Sequence, residues 1–206
     1  MGLPPHITAQ YDAELFGHWW FEGPAFLEMF LRKAHGDQQE IQLLHPSEYL
    51  RREPVHQVAE PAFSSWGARG YYEVWLNETN DWIYRHLHRA EERMVELCMR
   101  FPRAEGDLGR ALRQAGRELL LAQASDWAFI MTMGTTVPYA ERRTREHLTR
   151  FNRLCDEILG DRLDLAFLSE IESLDTIFQE IDPMAWHPDR ARVKGAGGAV
   201  RSVSLN

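Results

Sequence analysis

Apolar residues recur at steps of four and three through most of the second half of the chain. Ile83, Leu87, Ala90, Met94 and Cys98 form one such stripe, while Arg85, Arg89, Glu92 and Glu96 step likewise on the other face. That period belongs to an amphipathic helix, and Asn80 is its candidate N-cap. Leu108, Leu112, Ala115, Leu119 and Ala122 make a second stripe. Asp126 to Met133 is an apolar run expected to be buried. Pro138 opens another helix, with the stripe Leu148, Phe151, Cys155 and Ile158, and Gly160 ends it. Leu163, Phe167, Ile171 and Leu174 predict a last helix. Helices joined by short loops pack antiparallel, so the pattern predicts a mainly α fold, an antiparallel helical bundle.

The first 77 residues are irregular and rich in aromatics, Gly and Pro. His6 to Tyr11 reads as a short strand. Pro24 opens a helix through about Ala34, stopped by Gly36 and Asp37. Ile41 to Leu44 reads as a buried strand, and Pro46 to about Arg52 as a short helix. Residues 53–77, with Pro54, Pro61, Gly67 and Gly70, read as a loop long enough to suggest a function. The predicted organisation is therefore an irregular segment 1–77, a helical domain 78–187, and a disordered Gly-, Ala-, Ser- and Arg-rich tail 188–206. There is no internal repeat.

Composition narrows the partners. A chain of 206 residues holds one domain with a real core, or one domain plus the edge of another. The net charge is −8 and basic residues are interspersed with acidic ones, which speaks against nucleic acid or an anionic membrane as the main partner. No apolar run approaches the ~18 residues of a membrane span. Cys98 and Cys155 sit inside helical patterns with no CxxC and no signal peptide, and read as buried free thiols of a cytoplasmic protein. Five of the seven tryptophans, Trp19, Trp20, Trp66, Trp75 and Trp82, fall in the first 82 residues. Trp serves packing; clustered in Gly-containing loops it also forms flat platforms for sugar rings.

Three segments carry candidate chemistry. The stretch from Tyr11 to Gly23 holds Asp12, Glu14 and Glu22, with His18, Trp19 and Trp20. Aromatic neighbours desolvate a carboxyl and raise its pKa, as a general acid near neutral pH requires. His18 suits a sugar hydroxyl or a carboxylate partner. The plainer reading is a tight turn packed by aromatics. Asp12, Glu14 and His18 make a weak metal set, because no second His or Cys stands at ligand spacing. Residues 64–77 offer the aromatic faces of Trp66, Tyr71, Tyr72 and Trp75 around two glycines that permit tight turns, either as a sugar platform or as a cover for the helices. In Ser125-Asp126-Trp127, an Asp amid apolar residues must be satisfied if buried, and spacing alone favours a helix cap.

These segments resemble a known family. YDAELFGHWWFEG (11–23) resembles the fourth signature region of glycoside hydrolase family 57 branching enzymes. SSWGARGYYEVWLNETNDWIYRHLHRAEERM (64–94) resembles their fifth region and the start of their helical C-terminal domain, and RELLLAQASDWAFIMTMGTTVPYAERRTREHLTRFNRL (117–154) resembles more of that domain. The resemblance spans roughly residues 5–185. Gln10 stands where Pro is usual, and Ala68-Arg69 where an acidic residue and Gly are common. The resemblance implies that residues 1–77 are the C-terminal remnant of an incomplete (β/α)7 barrel. It implies that Asp12 is the acid/base, that Trp66 and Trp75 lie near a glucan-binding cleft, that Asp126 is contributed to the site by the helical domain, and that His18, Trp19 and Trp20 line or support it. No metal or cofactor is expected.

A retaining mechanism needs two carboxyl groups about 5–5.5 Å apart. The family's nucleophile is a glutamate on the barrel, N-terminal to the position of Asp12. Eleven residues cannot hold a barrel, so the expectation is a branching-enzyme fragment that carries the acid/base without the nucleophile and is inactive alone. If residues 12–14 are extended, Glu14 points away from Asp12 and is no substitute. Its partners would be an α-glucan such as amylose or glycogen and the missing barrel. Two other readings stand: a non-catalytic helical module that binds α-glucan or protein, and an α-amylase or 4-α-glucanotransferase of the same family.

Overall fold

The computed structural model describes residues 5–190. The chain forms two compact units, Met1–Pro61 and Ala62–Asn206. Among the described residues there are helices and irregular segments but no strand. Most of the proposed tail, from residue 191 on, lies outside the described residues.

The first unit contains a turn of π-helix at Leu15–Trp19, α1 at Gly23–Gly36 and α2 at Pro46–Arg52. Both α-helices begin with Pro in the first turn, where its missing N–H is not needed. The strands expected at His6–Tyr11 and Ile41–Leu44 are irregular instead. An apolar alternation makes a strand only where a neighbour accepts its backbone groups, and among the described residues these segments have no such neighbour. Gly23 is the one buried residue among the unit's described residues. Trp19 and Phe21 are 72% and 96% exposed, and Phe26, Met29 and Phe30 of α1 are exposed as well. A segment with no apolar core of its own and such a surface is built to be covered. The full chain is therefore expected to bind an apolar dye and to associate as its concentration rises, and Phe21→Asp with Phe26→Asp to reduce both. A dye-silent monomer at high concentration would contradict this.

The second unit is the helical bundle: α3 at Trp82–Arg100, α4 at Gly106–Ala122, α5 at Ser125–Met133, α6 at Val137–Leu159 and α7 at Leu165–Leu174. A 3-10 turn at Ala68–Gly70 precedes it and another at Pro183–Trp186 follows it. The α3 stripe from Ile83 to Cys98 is buried, as are Leu112, Ala115 and Leu119 of α4 and Leu148, Phe151, Cys155 and Ile158 of α6. On α7, Leu168 and Ile171 are buried and Leu174 is exposed. The apolar run of α5 is less buried than its sequence suggests. Only Ala128 and Met131 are fully enclosed, and Met133 is exposed. Both cysteines are free and buried; burial pushes each thiol up to about 12, with Asp182 adding to the effect at Cys98. No helix among the described residues is long and apolar enough to cross a membrane.

Helix α4 lies at the centre, against α3, α6, α7 and the 3-10 turn at Pro183–Trp186. The last of these contacts depends on Gly116, whose absent side chain leaves room for Trp186: a Cβ there would stand 3.0 Å from two atoms of the indole. Gly116→Leu should displace the ring. Overpacking of this kind costs about 1–3 kcal/mol, more than the roughly 1 kcal/mol of helix propensity gained, so the melting midpoint should fall. A rise would show that the segment after α7 moves freely.

Candidate functional site

The two groups of candidate residues belong to different units. In the first, Asp12 and His18 are exposed and Trp20 is half-buried. Residues 13 and 14 are helical, not extended, and Glu14 has φ −56° and ψ −36°. Asp12 Oδ1 accepts the Glu14 N–H at 2.9 Å, a local turn that fixes the carboxylate at the head of the π-helical turn. Glu14 is engaged differently. Its Oε1 accepts the Trp19 indole N–H at 2.7 Å and lies 2.8 Å from His18 Nε2. The motif thus holds Glu14 in place with its own His and Trp. Trp20 packs on Phe16 and Phe26, with ring centroids 5.9 and 4.8 Å apart, and leaves Trp19 outward.

In the second unit, the loop before α3 carries Trp66 and Trp75. Its turn is closed by Ser65, whose N–H donates to the Gly70 carbonyl at 2.7 Å and whose hydroxyl donates to the Tyr71 carbonyl at 2.6 Å. Arg69 and Gly70 both take positive φ, 55° and 79°, which glycine adopts without strain and arginine does not. Trp66 is 80% exposed. Trp75 is half-buried, its ring tilted against Phe129 of α5 at 5.8 Å, and its carbonyl accepts the Tyr84 hydroxyl. Asp126 is exposed in the first turn of α5. It does not cap that helix: Ala124 occupies the N-cap, with no side-chain bond. Phe129 stands three residues after Asp126, so Trp75 meets α5 about one turn, roughly 5 Å, from that carboxylate.

Asn80, expected as the N-cap of α3, has another role. Asp81 holds the cap position, and Asn80 is fully buried between the loop and α5. Nothing in the sequence pattern singles out Thr132, a lone hydroxyl in an apolar helix, or a pair in the bundle core. There Glu118 Oε2 lies 2.6 Å from His147 Nδ1, both fully buried. With Asp175 they bring possible metal-ligand atoms within 4.8 Å of one another. Asp175, however, pairs with Arg143 and Arg150 at 3.4 and 2.9 Å, so the arrangement is that of an ion-pair network: guanidinium groups already supply the positive charge.

The chain is similar to known proteins over most of its length. Residues 86–186 match the family described as 1,4-alpha-glucan branching enzyme, C-terminal. The chain is 36% identical over 181 residues to the 1,4-alpha-glucan branching enzyme TK1436 of Thermococcus kodakarensis, an overlap of 85% of this chain and 26% of that protein. The crystal structure of TK1436, described as a branching enzyme of glycoside hydrolase family 57, superposes with a TM-score of 0.67 at 34% identity over 87% of this chain and 33% of the other. That of the alpha-amylase AmyC from Thermotoga maritima superposes with a TM-score of 0.61 at 45% identity over 90% and 34%. The class is thus a helical C-terminal domain of the family 57 type. This chain spans about a quarter of the length of TK1436. Over residues 86–186 it carries the C-terminal domain of the 1,4-alpha-glucan branching enzyme family.

Proposed function

We propose that the chain is the C-terminal part of a retaining 1,4-α-glucan branching enzyme, with Asp12 as its acid/base. The match of residues 86–186 to the branching-enzyme C-terminal family carries this reading. In it, a glutamate from the remainder of the enzyme attacks the anomeric carbon and holds the glucan chain covalently. Asp12 protonates the leaving oxygen, then takes the proton of the acceptor's 6-hydroxyl. The local geometry favours Asp12 over Glu14. Each carboxylate is engaged through one oxygen, but Asp12 Oδ1 meets a single backbone N–H, whereas Glu14 Oε1 is held by the side chains of both Trp19 and His18.

In this reading Trp66, Trp75 and Asp126 contact glucan on the helical domain, and in the first unit His18, Trp19 and Trp20 line or support the surroundings of Asp12. The apolar surface of the first unit is the face that packs on the catalytic barrel. The two free, buried cysteines suit a cytoplasmic enzyme. The 45% identity to a protein described as an alpha-amylase favours a second reading, hydrolysis in place of transfer.

The experiment uses the full-length enzyme that contains this sequence, with amylose as substrate. Branching yields new α-1,6 linkages, counted after debranching, at constant average bond number. Hydrolysis yields reducing ends without branches, and that outcome would transfer the assignment to an amylase. In the same enzyme Asp126→Asn should lower activity several-fold while leaving the melting midpoint in place, because Asp126 is exposed and caps nothing. Loss of stability with full specific activity would remove Asp126 from the site.

A further inference from the structure

The loop that carries Trp66 and Trp75 is tied to α5 by a cluster of polar side chains that the proposed chemistry does not use. Asn80 Oδ1 accepts the Asn77 N–H at 2.9 Å. Its amide nitrogen lies 3.2 Å from the Val74 carbonyl, 3.3 Å from the Ala128 carbonyl and 3.0 Å from the Thr132 hydroxyl. The Asn77 amide donates to the Glu73 carbonyl at 2.7 Å and lies 2.8 Å from the same hydroxyl. Thr132 thus receives two N–H donors, and its own proton has two acceptors in reach, the Val74 carbonyl at 2.7 Å and the Ala128 carbonyl of its own helix at 3.0 Å. That uses the whole capacity of a hydroxyl, one donor and two acceptor sites.

The position of this cluster matters more than its strength. Trp75 lies within the span 73–77 that it fastens, next to Val74, whose carbonyl is its focus. Asp126, Phe129 and Thr132 succeed one another at intervals of three along α5, an oblique row in which Phe129 stands between the other two, about 60° round the helix from each. The Trp75 ring rests on Phe129. That row of α5 therefore bears, turn by turn, the carboxylate, the ring that supports Trp75, and the hydroxyl that anchors its backbone. A loop serving only as a cover would be held by the buried Val74 side chain. Three polar side chains converging on one helix position specify where the loop sits along the helix, since each is costly to leave unpaired.

We propose that Thr132, with Asn77 and Asn80, is a positioning residue of the glucan site: it fixes Trp75 one helical turn from Asp126, so that both meet the same α-1,4-linked chain. This rests on the glucan reading above. Thr132→Val keeps the shape and removes the hydroxyl; Thr132→Ser keeps the hydroxyl. Each is made in the full chain, alone and with Trp75→Phe, and two measurements are taken.

The first is acrylamide quenching of tryptophan fluorescence without ligand. Thr132→Val should increase quenching, Thr132→Ser should not, and the increase should vanish when Trp75 is replaced. The second is maltoheptaose binding by calorimetry. Thr132→Val should weaken it about tenfold, the scale of one lost well-made contact, and Thr132→Ser should restore it. Trp75→Phe should add little on top of Thr132→Val, because both act through one ring. Unchanged quenching, or losses that simply add, would overturn the positioning role. A wild-type chain that quenches as expected yet binds no maltoheptaose would overturn the glucan reading and leave only a loop clamp.

Discussion

Glu118→Leu is expected to destabilise the helical unit by about 3–5 kcal/mol, the usual result of removing one partner from a fully buried ionisable pair. Glu118 and His147 have no exposed surface, and they bridge α4 and α6 at 2.6 Å. The other Glu118 oxygen accepts the Gln114 amide at 2.8 Å. Gln114 in turn accepts from Arg117, whose Nε donates to the Ile177 carbonyl at 2.5 Å. Leucine at 118 strands His147 Nδ1 where water does not reach and leaves the Gln114 amide only its long bond to the Ile171 carbonyl, at 3.4 Å. His147 Nε2 already has no partner among the described residues, so the substitution leaves the ring with neither nitrogen paired. Replacing both members, Glu118→Leu with His147→Leu, should cost much less than the sum of the single changes, because no charged group is left uncompensated. Urea unfolding followed by the helical circular dichroism signal measures all three. A single-variant loss under about 1 kcal/mol would mean that water enters the pair.

This pair shows why part of the fold could be read from sequence and part could not. The stripes on α3, α4 and α6 were readable because a helix with one apolar side must bury that side. The same reasoning assigns Gln114, Arg117 and Glu118 to the solvent side of α4. Yet α4 has neighbours in α3, α6, α7 and the turn at Pro183–Trp186, so its polar side is enclosed too. Periodicity tells which face is apolar, not how many other helices surround it. His147 is 29 residues from Glu118, and nothing local announces their meeting. Asn80 failed for a related reason: its place before an apolar stripe is that of a cap, and only the arrival of α5 makes it a buried link. The strands expected near His6 and Ile41 failed because strand formation depends on a neighbour that a one-chain pattern does not contain.

The candidate site was readable in proportion to how local its signals were. Residues 11–23 are dense enough in carboxylates, aromatics and glycine to stand out, and their resemblance to a family motif gave each a role. What the motif could not reveal is the different surroundings of Asp12 and Glu14, which depend on a helical turn that brings Trp19 and His18 back onto Glu14. Trp75 and Asp126 were named separately, 51 positions apart by their numbers. That Trp75 meets α5 one turn from Asp126 follows from its contact with Phe129, which no spacing rule supplies.

Asp12→Asn in the full-length enzyme is expected to lower branching by about a thousandfold or more, near the upper end for general acid–base catalysis. In a retaining reaction the acid acts twice. It protonates the departing glucan oxygen as the covalent bond to the nucleophile forms, and it removes the acceptor's proton as that bond breaks. Asparagine can do neither. It does keep an oxygen at Oδ1, so it still accepts the Glu14 N–H that now sets the turn at 2.9 Å, and Asp12 is exposed. The melting midpoint should therefore not move, which separates lost chemistry from lost structure. A small anion such as azide needs no base to attack the covalent intermediate, so it should restore the second step and release a glycosyl azide from substrates with a good leaving group. Glu14→Gln should act through position: it keeps one acceptor for Trp19 and His18 and should cost far less activity than Asp12→Asn. If instead Asp12→Asn retains activity within about tenfold and Glu14→Gln removes it, the acid/base is Glu14, and the bonds from Trp19 and His18 tune that carboxylate rather than store it.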